Sequence, residues 1–436
     1  MRFKFLFILI LCNYIFGQSL LNRAVGGDNS FGSARSYGMG FTHTINTNNS
    51  SMIRYNPSLL SYVAKNQLFI YDFQLNGSLI KERRSILVKD YFGDFLTYAD
   101  YLNNENIYND FQGGMIINLK NTFAISGAVL PLATFDYDYI EEIRGSADVE
   151  DGDVGMKDPL VGYQIFNTSG KLNSLSLGAS YSYNINNIHY YNIGFGYHKI
   201  LNTEITDNIY IDSLTTQIEN LSEVENYFNR ESFNDLGGYY SSGFSYFNNE
   251  FLFSLNFESD ILIQKELICG YQTFNFIDST GTISYLDSSN ANFIFSGLNY
   301  YKPQKLNIGI SYNPKENSDL TVSAEYEINK VNNLEYLKDY NIYKLGFEYI
   351  LPSLTPIRGG LVYKTSPINL IPDQSIITCG TGGSFNNIFY DIGFSYSLFD
   401  YYYPDLFPIE DTIHNEFDKI TESKLSILFT LRYLFR

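Results

Sequence analysis

The chain has 436 residues, a formal net charge of −18 and 17% aromatic residues, comprising 39 Tyr, 35 Phe and no Trp. An acidic excess of this size excludes nucleic acid as a partner, because phosphates would be repelled. Charged residues make up 17%, below the roughly 25% of soluble domains, and the length suits one large barrel or two to three soluble domains.

Residues 1–17 read as a secretory signal: Arg2 and Lys4 precede the apolar run Phe5 to Leu11, and small Gly17 precedes Gln18. A lipoprotein signal at Cys12 would want a small residue before it, where Leu11 stands. Residues 18–65 are rich in Gly, Ser and Asn and show no sustained alternation. No later run approaches the 18 apolar residues of a spanning helix. A membrane protein without such helices must be a closed barrel, since lipid cannot satisfy an open sheet edge.

From residue 66 to 436 apolar and small residues alternate almost without pause. Leu175, Leu177, Ala179, Tyr181 and Tyr183 face opposite to Ser176, Gly178, Ser180 and Ser182. The same pattern runs through Ile193, Phe195 and Tyr197, through Leu306, Ile308 and Ile310, and through Tyr343, Leu345, Phe347 and Tyr349. Such a period of two is the strand signature. Turn signals separate the runs at Lys120-Asn121, Asn186-Asn187, Asn248-Asn249, Asn313-Pro314 and Asn386-Asn387. The spacing predicts about fourteen strands. On the segment 422–436, Leu425, Ile427, Phe429, Leu431, Tyr433 and Phe435 form a greasy face long enough to cross a membrane as a closing strand.

Water-facing strand surfaces normally carry Lys, Glu and Thr. Here the second face is Gly, Ser, Asn and Ala, which suits an enclosed bore. The prediction is an all-β transmembrane antiparallel barrel with the greasy face in outer-membrane lipid and an N-terminal plug inside. On that facing, Leu431→Arg costs about 2–4 kcal/mol near the midplane and Thr430→Arg much less.

Two connections show helical spacing. In 203–235, Leu214, Ile218, Leu221, Val224 and Phe228 predict a short amphipathic helix at the barrel mouth; Phe92, Phe95, Leu96, Ala99 and Leu102 make a weaker case. The segment 400–423, with Pro404 and Pro408, reads as a long acidic loop.

Little in the chain points to chemistry. Asp148, Glu150, Asp151, Asp153 and Asp158 lack the register of a calcium loop and read as a solvated acidic stretch. The histidines His43, His189, His198 and His414 have no metal spacing. The residues two beyond them are Ile45, Tyr191, Ile200 and Glu416, so the His-x-Ser pair of a barrel phospholipase is absent. No cofactor or metal motif is present, and no enzyme is expected. Cys269 and Cys379 could pair in an oxidising periplasm, but free thiols in strands is the simpler reading.

The most specific motif lies in the plug. The run Ala34-Arg35-Ser36-Tyr37-Gly38-Met39-Gly40 is followed by Asn48-Asn49-Ser50-Ser51-Met52 and then Asn56-Pro57-Ser58-Leu59-Leu60. It resembles the N-terminal segment of the FadL-like superfamily of outer-membrane proteins, which includes long-chain fatty-acid transporters and the PorV proteins of type IX secretion. Ser58 and Leu59 stand where that family has Ala and Gly. The resemblance implies a hatch ending in the Asn56, Pro57, Ser58, Leu59 turn, a fourteen-stranded barrel and a lumen for hydrophobic compounds. Three roles stay open. One is passive uptake of a fatty-acid-like ligand, another a PorV-like barrel that docks secretion-system proteins, and the third a structural barrel without cargo. Ligand-binding residues are not assigned; Phe92 and Phe95 are candidates only as loop aromatics.

Overall fold

The computed structural model describes residues 23, 25–29 and 31–435, except 120–121, 145–159, 187, 202–203, 214–223, 235–236, 278–282, 289–298, 318, 333–336, 369–370 and 404–416. The signal segment, Cys12, the acidic run Asp148 to Asp158, Pro404, Pro408, His414 and the turn Lys120-Asn121 lie outside the described residues.

Fourteen strands close into one antiparallel barrel. They are β1 Phe69–Lys89, β2 Phe95–Leu119, β3 Phe123–Thr134, β4 Lys171–Ile185, β5 His189–Leu201, β6 Gly238–Phe247 and β7 Phe251–Glu258. The series continues with β8 Gln304–Tyr312, β9 Leu320–Lys330, β10 Tyr340–Ile350, β11 Pro356–Lys364, β12 Gln374–Phe385, β13 Ile388–Tyr403 and β14 Asp418–Phe435. Each strand pairs with the next, and the ring is sealed by β1 against β14, from Phe69↔Phe435 to Ser85↔Lys419. The predicted turns hold because Asn supplies what a tight connection needs. Asn186 and Asn386 adopt φ of 55° and 54°, a region Asn tolerates better than most residues. Asn248 accepts from the Glu250 and Phe251 amides through its side chain.

The alternation divides the wall as expected. On β1, Tyr71, Phe73 and Leu75 are exposed while Asp72, Gln74, Asn76 and Ser78 are buried. On β14, Leu425, Ile427, Leu431, Tyr433 and Phe435 point out and Ser426 and Thr430 point in. A closed barrel with an apolar outer band and a polar interior is built to span a bilayer. Leu428 and Ile420 are apolar residues buried on the inward face of β14, Leu428 against Phe31, Ala34 and Tyr37.

One side of the barrel rises higher. Past the ends of β3 to β8 the chain bends and resumes as a second sheet made of Tyr137–Arg144, Leu160–Ser169, Glu204–Ser213, Val224–Asn234, Ile261–Ile277 and Ile283–Ser288. Tyr300–Lys302 pairs with its lower edge. Two of these strands correct the predicted helix of 203–235: Glu204–Ser213 and Val224–Asn234 lie side by side as a ladder. Val224 and Phe228 belong to the second strand, while Leu214, Ile218 and Leu221 lie outside the described residues. Sheet pairing with neighbours on both sides outweighs a weak helical period. Phe95 to Leu102 are likewise strand, the start of β2. The acidic connection 400–423 is shorter than expected, because β13 runs to Tyr403 and β14 begins at Asp418.

Cys269 and Cys379 are free thiols, on the second sheet and on β12.

Candidate functional site

The N-terminal segment folds inside the bore as short helical pieces: α1 Ala34–Gly38, α2 His43–Asn46, α3 Met52–Tyr55, a 3-10 turn Pro57–Leu59 and α4 Leu60–Val63. Helices of four or five residues do not persist alone in water. The wall holds them by bonding N–H groups in the first turn of α1, α2 and α4 and just before α3, which have no partner within the helix. The Ala34 amide donates to Thr430 Oγ1 at 2.8 Å and the Thr44 amide to Glu325 Oε2 at 2.9 Å. Ser50 donates from its amide and its hydroxyl to Asp72, both at 2.8 Å. The Ser61 amide reaches Ser180 Oγ at 2.7 Å.

Contact this close needs a wall without side chains at the right points. A Cβ on Gly346 would lie 2.1 Å from Met39 O, one on Gly360 2.2 Å from Gly40 N, and one on Gly393 2.7 Å from Ala34 O. Opposite them, a Cβ on Gly194 would lie 2.2 Å from the Pro57 carbonyl carbon. The inward glycines form a belt on which the plug backbone rests. Gly40 itself has φ +65°, and a Cβ there would meet Leu345 O at 2.1 Å.

The motif turn sits on this belt. Asn56, Pro57, Ser58 and Leu59 are all buried. Asn56 Oδ1 accepts from the Ser58 amide at 3.3 Å and the Ser58 hydroxyl at 2.6 Å, and its Nδ2 donates to Thr44 O at 3.0 Å. Pro57 occupies the first position of the 3-10 turn, where its missing N–H costs nothing. A Cβ on Gly243 of β6 would lie 2.2 Å from Asn56 Oδ1.

Two cavities lie on either side of the plug. The one at the short-turn end has a volume of about 660 Å³ and is lined by Arg35, Lys65, Glu348, Arg358, Asp391 and Arg432. There Arg35 pairs with Glu348 at 2.7 Å, Arg358 with Glu348 at 2.5 Å and with Asp391 at 2.8 Å, and Arg432 with Asp391 at 3.3 Å. The other, of about 370 Å³, is a chamber towards the long-connection end. Its floor includes the plug aromatics Phe31, Tyr37, Phe41 and Tyr55; its walls carry Lys305, Glu327, Lys344, Lys364, Glu422 and Lys424. On the β3 to β6 side the bore is filled instead by an apolar core of Leu132, Phe135, Leu172, Ile200, Phe233, Tyr239 and Tyr300.

Beside that core the wall changes course. β2 and β3 pair only from Gly113↔Val129 down to Leu119↔Phe123. Above Val129, β3 is buried on both faces through Thr134, so it has turned off the lipid surface. A register shift between Pro131 and Ala133 against β4 marks the bend, and Pro lacks the N–H a continued ladder would need. In place of β2, Ala133 and Thr134 pair with Asp28 and Gly27 of the N-terminal segment. Residues Gly26 to Asn29 also line the chamber, so this two-residue strand is a partition between the chamber and the breach beside β2. The segment is pinned further out by Arg23, whose guanidinium is buried against Asp207 and Glu231.

Among the described residues, no Ser–His pair has the layout of a hydrolase. His43 Nδ1 lies 2.9 Å from Ser36 Oγ within the plug. His198 is fully buried between Ser176 Oγ at 2.7 Å and Ser241 Oγ at 3.0 Å. Neither has a carboxylate orienter among these contacts. Burial, with Lys344 nearby, holds the His43 pKa well below the usual histidine value.

Sequence reasoning anticipated a barrel with an N-terminal plug. It missed the chamber lysines, the breach at β3 and the close contact that wall glycines such as Gly194 make with the plug. Phe92 and Phe95 lie at the exposed tip of the β1–β2 hairpin, away from both cavities.

No protein-family model matches the sequence, and no curated protein is similar to it. Solved structures do share its architecture. A FadL homologue of Pseudomonas aeruginosa superposes with a TM-score of 0.58 at 11% identity, over 94% of this chain and 100% of its own. The monoaromatic hydrocarbon channel CymD matches at 0.54 and 12%, over 94% and 99%. The Ralstonia pickettii toluene transporter TbuX matches at 0.52 and 12%, over 94% and 100%. The chain therefore has the FadL-like fold, a plugged fourteen-stranded transmembrane barrel.

Proposed function

We propose that this protein is a bacterial outer-membrane channel for passive uptake of small hydrophobic, fatty-acid-like compounds. The observation that carries the reading is the partition: a chamber inside a plugged barrel is separated from a breach in the wall by the two residues Gly27 and Asp28. A compound entering from the long-connection side reaches the aromatic floor. Displacement of the partition then gives it a way sideways past β3, without unseating the plug. The Asn56, Pro57, Ser58, Leu59 turn serves to keep the plug on its glycine belt while this happens. The FadL-like structural neighbours, among them a toluene transporter and a monoaromatic hydrocarbon channel, support the same class of cargo.

The test is uptake into lipid vesicles holding the purified full-length chain. Labelled oleate and toluene should enter faster than into empty vesicles. Equal rates for both would overturn the reading. If large secreted proteins were then found to copurify with the barrel, a PorV-like role in type IX secretion or surface attachment would replace it.

A further inference from the structure

The cavity at the short-turn end lies off the sideways route, yet it is the larger of the two, at about 660 Å³. Short turns mark the periplasmic end of an outer-membrane barrel. The lining carries four cations, Arg35, Lys65, Arg358 and Arg432, against two carboxylates, Glu348 and Asp391. The ion pairs run as one ladder: Arg35 and Arg358 share Glu348, and Arg358 and Arg432 share Asp391. Both shared carboxylates are buried, whereas Arg35 keeps 27% of its side chain in solvent. Lys65 is exposed and pairs with no carboxylate among the described residues. Its ammonium lies 4.5 Å from the Tyr190 ring centroid and donates to the Tyr190 hydroxyl at 3.2 Å. What the periplasm meets here is positive, although the chain as a whole carries −18.

The same mouth also has an apolar part. The Phe247 ring contacts Tyr62 and Tyr190, at centroid distances of 5.1 and 6.0 Å. Leu354, in the turn between β10 and β11, lines the cavity while 81% exposed, with φ of 61°. A left-handed backbone is unfavourable for leucine and free for glycine. Neither that strain nor that exposure helps the barrel fold, and a strained residue kept at a cavity mouth points to contact with something else.

We infer that the periplasmic mouth docks an extended acidic segment of a soluble periplasmic protein. Carboxylates of the segment sit on Arg35 and Lys65, and an apolar side chain packs on Leu354 and the Phe247 group. A small anion alone would meet the cations but leave Leu354 and the rings in water. A second copy of this chain would bring one positive mouth against another. The site is across the plug from the chamber, so it stands whether or not the barrel carries cargo.

The test is fluorescence anisotropy of a labelled peptide, Asp-Phe-Glu-Asp-Leu-Glu, titrated with the detergent-solubilised full chain. It should bind saturably and at least about tenfold more tightly than the same peptide with Asn and Gln for Asp and Glu. Lys65→Gln and Leu354→Gly should each weaken the acidic peptide about three- to tenfold. Leu354→Gly should do so with an unfolding midpoint at or above that of wild type, which a merely structural leucine would not give. Equal wild-type affinities for the two peptides would overturn the site, and this comparison needs no variant to fold. Unaltered acidic-peptide binding in the double variant Lys65→Gln/Leu354→Gly would overturn it as well, by placing the contact elsewhere. Inorganic phosphate bound as tightly as the peptide would reduce the mouth to an anion pocket and also overturn the docking role.

Discussion

Lys171 Nζ, from β4, lies 2.8 Å from Asp110 Oδ1 on β2, joining two strands that share no backbone ladder. It also reaches Asp136 Oδ2, just beyond β3, at 3.3 Å. The contact spans the breach from which β3 has withdrawn. Lys171→Met should therefore speed vesicle uptake of toluene several-fold. Its stability cost should be well above that of a surface pair, about 3 kcal/mol, because Asp110 and Asp136, each 7% exposed, lose their shared cation. A denaturant midpoint and an uptake rate measured on the same preparation check both halves. A rate unchanged from wild type would show that the clasp does not limit passage.

The glycine belt makes a steric prediction. Gly346→Ala places a methyl carbon 2.1 Å from Met39 O, and backbone on both sides cannot yield. The plug should lift, and residues 34–64 should become open to protease in the folded barrel. Gly127→Ala is the control: its Cβ meets the Leu177 side chain at 3.4 Å and Ser176 O at 4.0 Å, ordinary contacts, and protection should persist.

The lipid face predicts a depth-dependent penalty. Leu431→Arg should cost about 2–4 kcal/mol if its ring of outward residues lies near the midplane, less towards an interface. Refolding titrations into vesicles would measure it. The matching expectation that Thr430→Arg is cheap does not survive the structure. Thr430 is fully buried, accepts from the Ala34 amide and donates to Gln74 at 3.1 Å. An arginine there has no room under the plug and should cost at least as much.

Plug docking should weaken in acid. His43 is nearly buried and bonded to Ser36, and its pKa is held low by burial first and Lys344 second. A base whose docked pKa is depressed stays neutral in the seated plug but takes a proton when released. The stability it carries is thus complete above the free value of about 6.5 and declines as pH falls below it. Protease protection of the plug, followed from pH 8 to pH 5, should fall in that range. His43→Gln should flatten the response.

How much of this could be read from the sequence depended on period. Strands with a greasy and a small-residue face, such as Leu175 to Tyr183, announce themselves because side-chain alternation is local. The plug was legible for the opposite reason: Gly, Ser and Asn without alternation, ending at Asn56-Pro57. The helical spacing in 203–235 misled at Val224 and Phe228, which belong to a strand paired on both sides, while Leu214, Ile218 and Leu221 lie outside the described residues. The turn of β3 at Pro131 and the convergence of Lys305, Lys344, Lys364 and Lys424 on one chamber depend on which distant strands come together. No window of sequence contains that. Thr430 shows the same limit, since only the presence of Ala34 above it distinguishes it from any other bore residue.

The sealing of β1 against β14 around a seated plug has a consequence for biogenesis. The plug touches wall residues as far along the chain as Asp72 and Thr430, and its Arg23 is clamped by Asp207 and Glu231. Once the seam from Phe69↔Phe435 upward has zipped, the hatch has no way to be threaded in. It must be captured while the cylinder is still an open, curling sheet, so a hatch supplied as a separate peptide to a finished cylinder should never find its seat.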